Sequence, residues 1–428
     1  MTYKEALEYI HGVSWTFCKP GLDRIEALCE SLGHPERELR FVHVAGTNGK
    51  GSFCSMLSEV LMAAGYRVGL FTSPYIYEFN ERMRVNGVNI PNEALARVTE
   101  YVKPYADAMK DKPTEFELIS AIAFEYFRRE GCDVVVLEAG MGGRLDSTNV
   151  IRDPYLSVIT GIALDHTAFL GDTVEKIAAE KAGIIKDNAP VLFGGEDESA
   201  LRVIARVAAE RGSELYTADY SALRVLRADL RGAEFSYRDR SGLRIPLLGL
   251  YQPRNASLVI DAVDILRGRG LEISEDALYR GLSSASWRAR FEIINTEPTV
   301  IFDGAHNPQG IDVAVESIKH YYGDGRVAIL TGVLADKDYG YIARRISEVA
   351  SAAFTISPDN PRALPADKYA ELLSEQGVVS TPCGSIREAL EAGMEYALKN
   401  GVTLCCLGSL YTYVDVIRAL EDMKKEGK

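Results

Sequence analysis

The sequence predicts two α/β domains, the first built on a mostly parallel sheet with helices on both faces, the second smaller. Three observations predict it. The chain has 428 residues, too many for one ordinary core. Short β-branched runs alternate with longer helical patterns through the first two-thirds, as parallel strands joined by crossover helices do. A serine-rich stretch, "LSSASW" at 282–287, then interrupts the alternation before it restarts.

In chain order, "LRFVHVAG" is an apolar run ended by glycine, followed by the loop "GTNGKGS" and the helical pattern "SFCSMLSEVLMAAG". "RVGLFTSP" closes a βαβ unit of about the usual 30 residues. In "FELISAIAFEYFRREG", Leu118, Ile122 and Tyr126 lie four apart, as do Ile119, Ala123 and Phe127, which predicts a helix with a broad apolar face. "DVVVLEAG", "YLSVITGI" and "APVLFGG" are continuous apolar runs, suited to strands buried on both faces, with "TVEKIAAEKAGIIK" as a helix between the last two. Residues 221–248 alternate and turn at Arg231-Gly232 and Ser241-Gly242, which predicts an antiparallel hairpin region; the helix "RNASLVIDAVDILRGRG" follows. Beyond the serine-rich linker, "TVIFDGAHN", "VAILTGV", "AAFTIS" and "VTLCCLGSL" are strand-like.

Composition narrows the function classes. Hydrophobic content of 47% and charged content of 25% are those of a soluble globular protein. No apolar run reaches the roughly 18–20 residues of a membrane span. "MTYKEALEYIHGVSW" has no apolar secretory core, so a cytoplasmic location is expected, without membrane attachment. The net charge of −13 argues against nucleic-acid binding, which needs a basic surface. Seven scattered cysteines, none in a C-x-x-C pair, read as reduced and mostly buried thiols rather than a zinc or disulfide framework.

The chemistry-bearing stretch is "HVAGTNGKGS". Amides of a glycine-rich turn (Gly46, Thr47, Asn48, Gly49, Gly51) can point at a phosphate, and the helix that follows adds partial positive charge. Lys50 would pair with terminal phosphates, and the Ser52 or Thr47 hydroxyl would reach phosphate or metal. The match to G-x-x-x-x-G-K-[ST] is imperfect, because Gly51 follows the lysine and position 44 is not glycine. A bare glycine turn would have the same spacing. Three other stretches fall where strands should end, the usual ligand side of an open α/β sheet. They bring Ser73 ("LFTSPY"), Glu138 with Arg144 and Asp146 ("VVLEAGMGGRLDSTN"), and Asp165-His166 ("ITGIALDHTAFLG"). A hydroxyl, a carboxylate and an imidazole beside a triphosphate make a Mg²⁺ shell, with imidazole the unusual member. Taken singly, each has a plain structural reading as a turn, a solvated strand cap or a satisfied polar residue.

Together these residues resemble a known family. "HVAGTNGKGS", "SPYIYEFNERMRVNG", "TEFELISAIAFEYF", "VLEAGMGGRLDSTNVI", "LDHTAFLGDTVEKIAAEKAGIIK", "DGAHNP" and "GSLY" occur in the order found in folylpolyglutamate synthase/dihydrofolate synthase, the folate branch of the Mur ligase superfamily. The resemblance runs from about Gly21 to Tyr411. It implies a Mur-ligase-like α/β fold, with a P-loop ATPase-type domain at 1–286 and a smaller Rossmann-like glutamate-ligase domain at 287–428. It implies an ATP-dependent amide ligase that joins L-glutamate to folate or dihydropteroate through an acyl phosphate, and a monomer.

Residue by residue, it implies that Gly46 to Ser52 bind ATP together with Asn255, Arg290, Asp303 and His306, and that Lys50, His166 and Lys181 are catalytic. Ser73, Glu138 and His166 would hold metal, with two Mg²⁺ sites and a K⁺ ion admitted by the resemblance. Lys181 in "EKAGI" matches a lysine that is carbamylated in the superfamily. Thr114, Phe116, Glu117, Leu145 and Asp146 would line the pterin-substrate site, with Asp23 and Arg24 nearby. A site drawn from two domains implies closure on the ligand.

Three positions depart from the family pattern: Tyr251 precedes Gln252 in place of histidine, Ala289 replaces a glycine in W-x-G-R, and Tyr75 replaces histidine after Ser-Pro. Another Mur-type ligase is the nearest alternative, and Gly51 and "TEFE" favour the folate branch. A P-loop hydrolase or kinase would leave "DGAHNP" and Arg290 without a role, and a non-catalytic binding protein would be expected to lack Lys50, Glu138 or His166.

Overall fold

The computed structural model describes residues 1–13, 21–323 and 325–426. The chain divides into two units. The first comprises Met1–Arg224, Ser236–Arg244 and Arg254–Ala285; the second comprises Val225–Phe235, Ile245–Pro253 and Ser286–Lys428. The second unit thus includes two short segments that the sequence reading places with the first domain.

The first unit is built on an eight-stranded sheet. Its strands are β1 (Phe41–Ala45), β2 (Val68–Phe71), β3 (Met83–Val85), β4 (Val88–Asn89), β5 (Val134–Glu138), β6 (Leu156–Ile159), β7 (Val191–Phe193) and β8 (Leu215–Thr217), in the order β4-β3-β2-β5-β1-β6-β7-β8. From β2 to β8 every pairing is parallel, and only the β2–β3–β4 edge is antiparallel. β1, β2, β5 and β6 are buried throughout, which is why they read as unbroken apolar runs. Helix Lys50–Ala63 connects β1 to β2, and β5 inserts between those two strands. Its buried apolar side chains include a core around Leu118, Phe124, Phe127 and Val135 and another around Ile159, Ile177, Ile184 and Phe193.

Residues 223–245 form a separate three-stranded sheet: β9 (Leu223–Asp229), β10 (Gly232–Tyr237) and β11 (Arg240–Ile245). The expected second turn at Ser241-Gly242 is a correction. The chain turns at Arg238-Asp239, where Arg238 holds φ +54°, and Gly242 lies inside β11.

The second unit carries β12 (Glu292–Thr296), β13 (Thr299–Phe302), β14 (Val327–Thr331), β15 (Ala350–Thr355), β16 (Ser380–Pro382) and β17 (Leu404–Leu407), in the order β12-β13-β17-β14-β15-β16. All of its pairings are parallel except β12–β13. Its core centres on Ile301, Ile318, Ile329, Ile346 and Tyr369. The serine-rich linker is shorter than expected, since helix Glu275–Ser284 runs through most of it and the units divide after Ala285. Six cysteines are free and buried, while Cys18 lies outside the described residues. Among the described residues, no helix is long and apolar enough to cross a membrane.

Candidate active site

The glycine loop leaves β1 at the centre of the first sheet. At Gly46 φ is +153°, and a Cβ there would lie 2.0 Å from Thr160 Oγ1; at Gly49 φ is +85°, and a Cβ would lie 2.8 Å from Asn255 Oδ1. Glycine is therefore required at both positions, by backbone conformation and by close approach. The loop is fastened to the end of β6: Thr47 N donates to Gly161 O (2.8 Å), and Thr160 Oγ1 donates to Asn48 O (2.7 Å). The Thr47 hydroxyl donates to Ala163 O (3.2 Å) and accepts from Ala163 N (3.1 Å). Helix Lys50–Ala63 starts without a side-chain cap, so the amides of its first turn, at Gly51 and Ser52, are aligned for an anion. Lys50 Nζ donates to Gly46 O (3.0 Å) and Thr47 O (3.3 Å) and stands 4.0 Å from Glu138 Oε1.

The strand order places the ends of β2, β5, β1 and β6 side by side, and the chemical groups follow those ends. Ser73 N donates to Glu138 Oε2 (3.2 Å), and Glu138 is buried. The loop carrying Ser73 is held by Glu81, whose Oε2 accepts from Ile76 N and Tyr77 N at 2.9 and 3.1 Å. Arg82 was not among the sequence candidates, although it lies within the quoted "SPYIYEFNERMRVNG". Its Nη1 donates to Ser73 Oγ (3.1 Å), and its guanidinium lies 5.0 Å from the Tyr75 ring centroid and 5.8 Å from that of Phe79. His166 holds φ +50° and starts the short helix Thr167–Leu170. It lines one small cavity with Gly46, Lys50, Gly140, Asp165 and Lys181.

Among the described residues no three His, Cys, Asp or Glu side chains gather as a metal-binding group. What the strand ends offer is one buried carboxylate, Glu138, touching the Ser73 backbone. That set fits Mg²⁺ of the kind bound by one or two carboxylates and completed by phosphate oxygens and water.

Lys181, on helix Val174–Ala182, is buried and donates to Gly46 O (2.8 Å). Burial, then the nearby Lys50 ammonium, push its pKa down to about 7, against the pull of Asp165 and Asp146.

The expected pterin-site residues divide into two sets. Phe116, Gly140 and Asp146 meet: a Cβ on Gly140 would lie 2.7 Å from the Phe116 ring and 3.3 Å from Asp146 Oδ2. Asp146 is buried and accepts from Met141 N (2.8 Å), Thr148 N (3.1 Å) and Thr148 Oγ1 (2.6 Å), while Leu145 beside it is 37% exposed. Glu117, by contrast, is engaged structurally. It forms a capping box with Thr114, donating its N–H to Thr114 Oγ1 (3.3 Å) and accepting from Thr114 N (2.6 Å). It also takes two 3.0 Å hydrogen bonds from the Arg24 guanidinium. Asp23 is exposed at the start of helix Asp23–Ser31.

In the second unit, Asp303 is buried and its carboxylate is well engaged. Tyr251 OH (2.8 Å) and Phe291 N (2.9 Å) donate to Oδ2, and Ala305 N (2.8 Å) donates to Oδ1. Tyr251, the departure from the family histidine, thus supplies a hydroxyl donor. Ala289, the departure from the family glycine, still takes φ +57°, and Phe291 takes +48°. Strain of this kind persists where surrounding bonds hold it: Ala289 N donates to Glu292 Oε2 (2.7 Å), and Gly304 N donates to Ala289 O (3.0 Å). Arg290 Nη1 donates to Ala289 O (2.9 Å), and His306 Nδ1 lies 2.8 Å from Gly304 O.

Comparison with known proteins gives two family matches: the Mur ligase middle domain over residues 44–263 and the Mur ligase glutamate ligase domain over residues 289–410. A dihydrofolate synthase/folylpolyglutamate synthase of Bacillus subtilis is 38% identical, over 98% of this chain and 99% of its own. A folylpolyglutamate synthase of Lacticaseibacillus casei is 37% identical, over 96% of this chain and 97% of its own. Among solved structures, Escherichia coli FolC in complex with DHPP and ADP superposes with a TM-score of 0.87 at 32% identity, covering 99% of each chain.

Proposed function

Because the chain belongs to the folylpolyglutamate synthase/dihydrofolate synthase family of Mur ligases, we propose that it is the ATP-dependent ligase that adds L-glutamate to folates, with the glycine loop and its neighbouring strand ends as the reacting centre. The observation that carries the reading is the loop itself, with two glycines forced by close approach, an uncapped helix start, and Lys50 beside buried Glu138.

The chemistry asks for such a place. A carboxylate is a poor electrophile, so an oxygen of the acceptor carboxylate attacks the γ-phosphorus of ATP and the bond to ADP breaks. The glutamate nitrogen then attacks the acyl carbon of the mixed anhydride, loses a proton to solvent, and phosphate leaves. Phosphoryl transfer needs positioning and charge neutralisation more than a protein nucleophile. Loop amides 46–52 and Lys50 bind the phosphates, and Asn255, packed against Gly49, supports the nucleotide. Ser73, Glu138 and His166 would hold Mg²⁺, which neutralises charge developing on the transferred phosphoryl group. In the second unit, Arg290, Asp303 and His306 are the candidate ATP-binding residues, and Asp303 also accepts from Phe291 N and Ala305 N on either side of the turn that carries Arg290. Phe116 and Asp146 recognise the pterin-bearing acceptor, with Leu145 as an apolar neighbour. Lys181 is a carbamate-forming lysine, supported by its burial, its hydrogen bond to the backbone Gly46 O and its lowered basicity.

The test is ADP release with Mg²⁺, ATP and L-glutamate, with dihydropteroate in one reaction and tetrahydrofolate in another. Turnover with both acceptors is the bifunctional activity, and turnover with tetrahydrofolate alone is polyglutamylation. A folded protein silent with both overturns the reading.

A further inference from the structure

β1 reads Phe-Val-His-Val-Ala, and all five residues are buried. His43 therefore sits in the middle of the strand that delivers the glycine loop, with no exposed surface, in a position where an apolar residue would cost less. Burial, reinforced by Lys186, pushes its pKa down to about 3, so the ring is neutral and has one donor and one acceptor nitrogen.

The partner fixes which nitrogen is which. His43 Nε2 lies 2.9 Å from Thr148 Oγ1, and Thr148 Oγ1 lies 2.6 Å from Asp146 Oδ1. Burial pushes the Asp146 pKa up, while the Thr148 hydroxyl and the backbone donors of Met141, Thr148 and Gly140 pull it down by favouring the carboxylate. A hydroxyl has one hydrogen, and toward a carboxylate, which only accepts, it must donate. Thr148 is then the acceptor toward His43, Nε2 carries the ring proton, and Nδ1 is the nitrogen with no hydrogen-bond partner among the described residues. The string runs in one direction, from imidazole N–H to hydroxyl to carboxylate.

We propose that His43 is a positioning residue for the acceptor site: its Nε2–H holds the Thr148 hydroxyl, which helps orient Asp146, whose Oδ2 lies beside Gly140. The proposal rests on the reading of Asp146 as an acceptor-binding residue. Asp146 Oδ1 takes both the amide and the hydroxyl of Thr148, whereas Oδ2 takes Met141 N, so a donor from the acceptor would meet the carboxylate on its Oδ2 side. Without the imidazole donor, the Thr148 hydroxyl keeps its bond to Asp146 but loses the group that fixes its rotamer, and the carboxylate is held more loosely, by its backbone donors Met141 N and Thr148 N.

The experiment compares His43→Leu, His43→Gln and Thr148→Val by steady-state kinetics, after thermal melts show which variants are folded. Breaking the string is expected to raise KM for tetrahydrofolate about fivefold or more in His43→Leu and in Thr148→Val. KM for ATP should stay within about twofold of wild type, since the string does not touch the loop amides. His43→Gln, whose amide can donate from a similar place, should restore the acceptor KM. The double variant His43→Leu/Thr148→Val should be no worse than either single, because both break one string. Equal rises in both KM values, a loss of kcat alone, or additive effects in the double variant overturn the proposal, as does Asp146→Asn with an unchanged acceptor KM. Failure of wild type to turn over either acceptor instead overturns the functional reading.

Discussion

Lys181 is placed where its ammonium form is disfavoured by burial and by the neighbouring Lys50 charge, with a backbone carbonyl as its hydrogen-bond partner. With a pKa of about 7, close to half of it is neutral at pH 7, against roughly one in three thousand for an ordinary lysine. The neutral amine is the form that attacks carbon dioxide. A carbamate there would turn a cation that repels Mg²⁺ into an anionic oxygen ligand. Lys181→Ala is therefore expected to lose about two orders of magnitude or more in kcat, with partial recovery when a short carboxylate such as acetate is added. With ¹³C-labelled bicarbonate, wild type should show a carbamate carbon signal that the variant lacks. A fully active Lys181→Ala, or wild type without that signal, removes the carbamate from the mechanism.

At the scale of elements, the Arg24–Glu117 pair joins helix Asp23–Ser31 to the capping box that starts helix Glu115–Arg129. Both side chains are buried and the contact is bidentate. Arg24→Met removes the cation from buried Glu117, and Glu117→Gln leaves the guanidinium with the more exposed Asp111, 3.6 Å away, so Arg24→Met should cost about 3 kcal/mol in urea unfolding and Glu117→Gln about 2 kcal/mol. Glutamine keeps the capping role, which isolates the charge as the cause in that variant. The double variant should cost clearly less than the sum of the singles, and additive effects below about 1 kcal/mol each would show the pair to be decorative. The buried parallel strands were legible because burial on both faces forces unbroken apolar runs, and Ser73, Glu138 and His166 could be placed after their strands for that reason. Short edge elements were not. β3 and β4 together span few residues and carry little alternation, although Asn86-Gly87, both at positive φ, is the hairpin signal between them. Arg82 was missed with that hairpin, and the three-residue strands β8 and β16 were missed for the same lack of pattern. Thr114-x-x-Glu117 is both the family's substrate stretch and a capping-box spacing, and the structure shows the cap. His43 gave no signal beyond being one polar residue in an apolar run.

At the scale of the whole molecule, the chain carries a net charge of −13, while ATP, glutamate and a folate are all anions. At physiological ionic strength that overall field is screened beyond about 8 Å, so affinity for these ligands rests on cations held at the site. In the first unit these include Lys50 at the loop and Arg82 at Ser73. The two units also have separate cores, one set around Phe124 and Ile177 and another around Ile329 and Tyr369. Calorimetry of the whole chain should therefore show more than one two-state transition, with a calorimetric enthalpy above the van't Hoff value for either one. ADP with Mg²⁺ at about a hundred times its Kd adds about 2.7 kcal/mol to the state that binds it. The unit carrying the glycine loop is slightly larger than the 150–250 residues for which 1 kcal/mol moves a midpoint by about 2–4 °C, so its transition should rise by roughly 5 °C. Lys50→Ala should leave the unliganded trace nearly unchanged, since Lys50 bonds its own loop at the surface of the sheet, and should remove most of the shift. A shift that survives Lys50→Ala would place the nucleotide away from this loop, because the added stability can only come from binding to the folded unit.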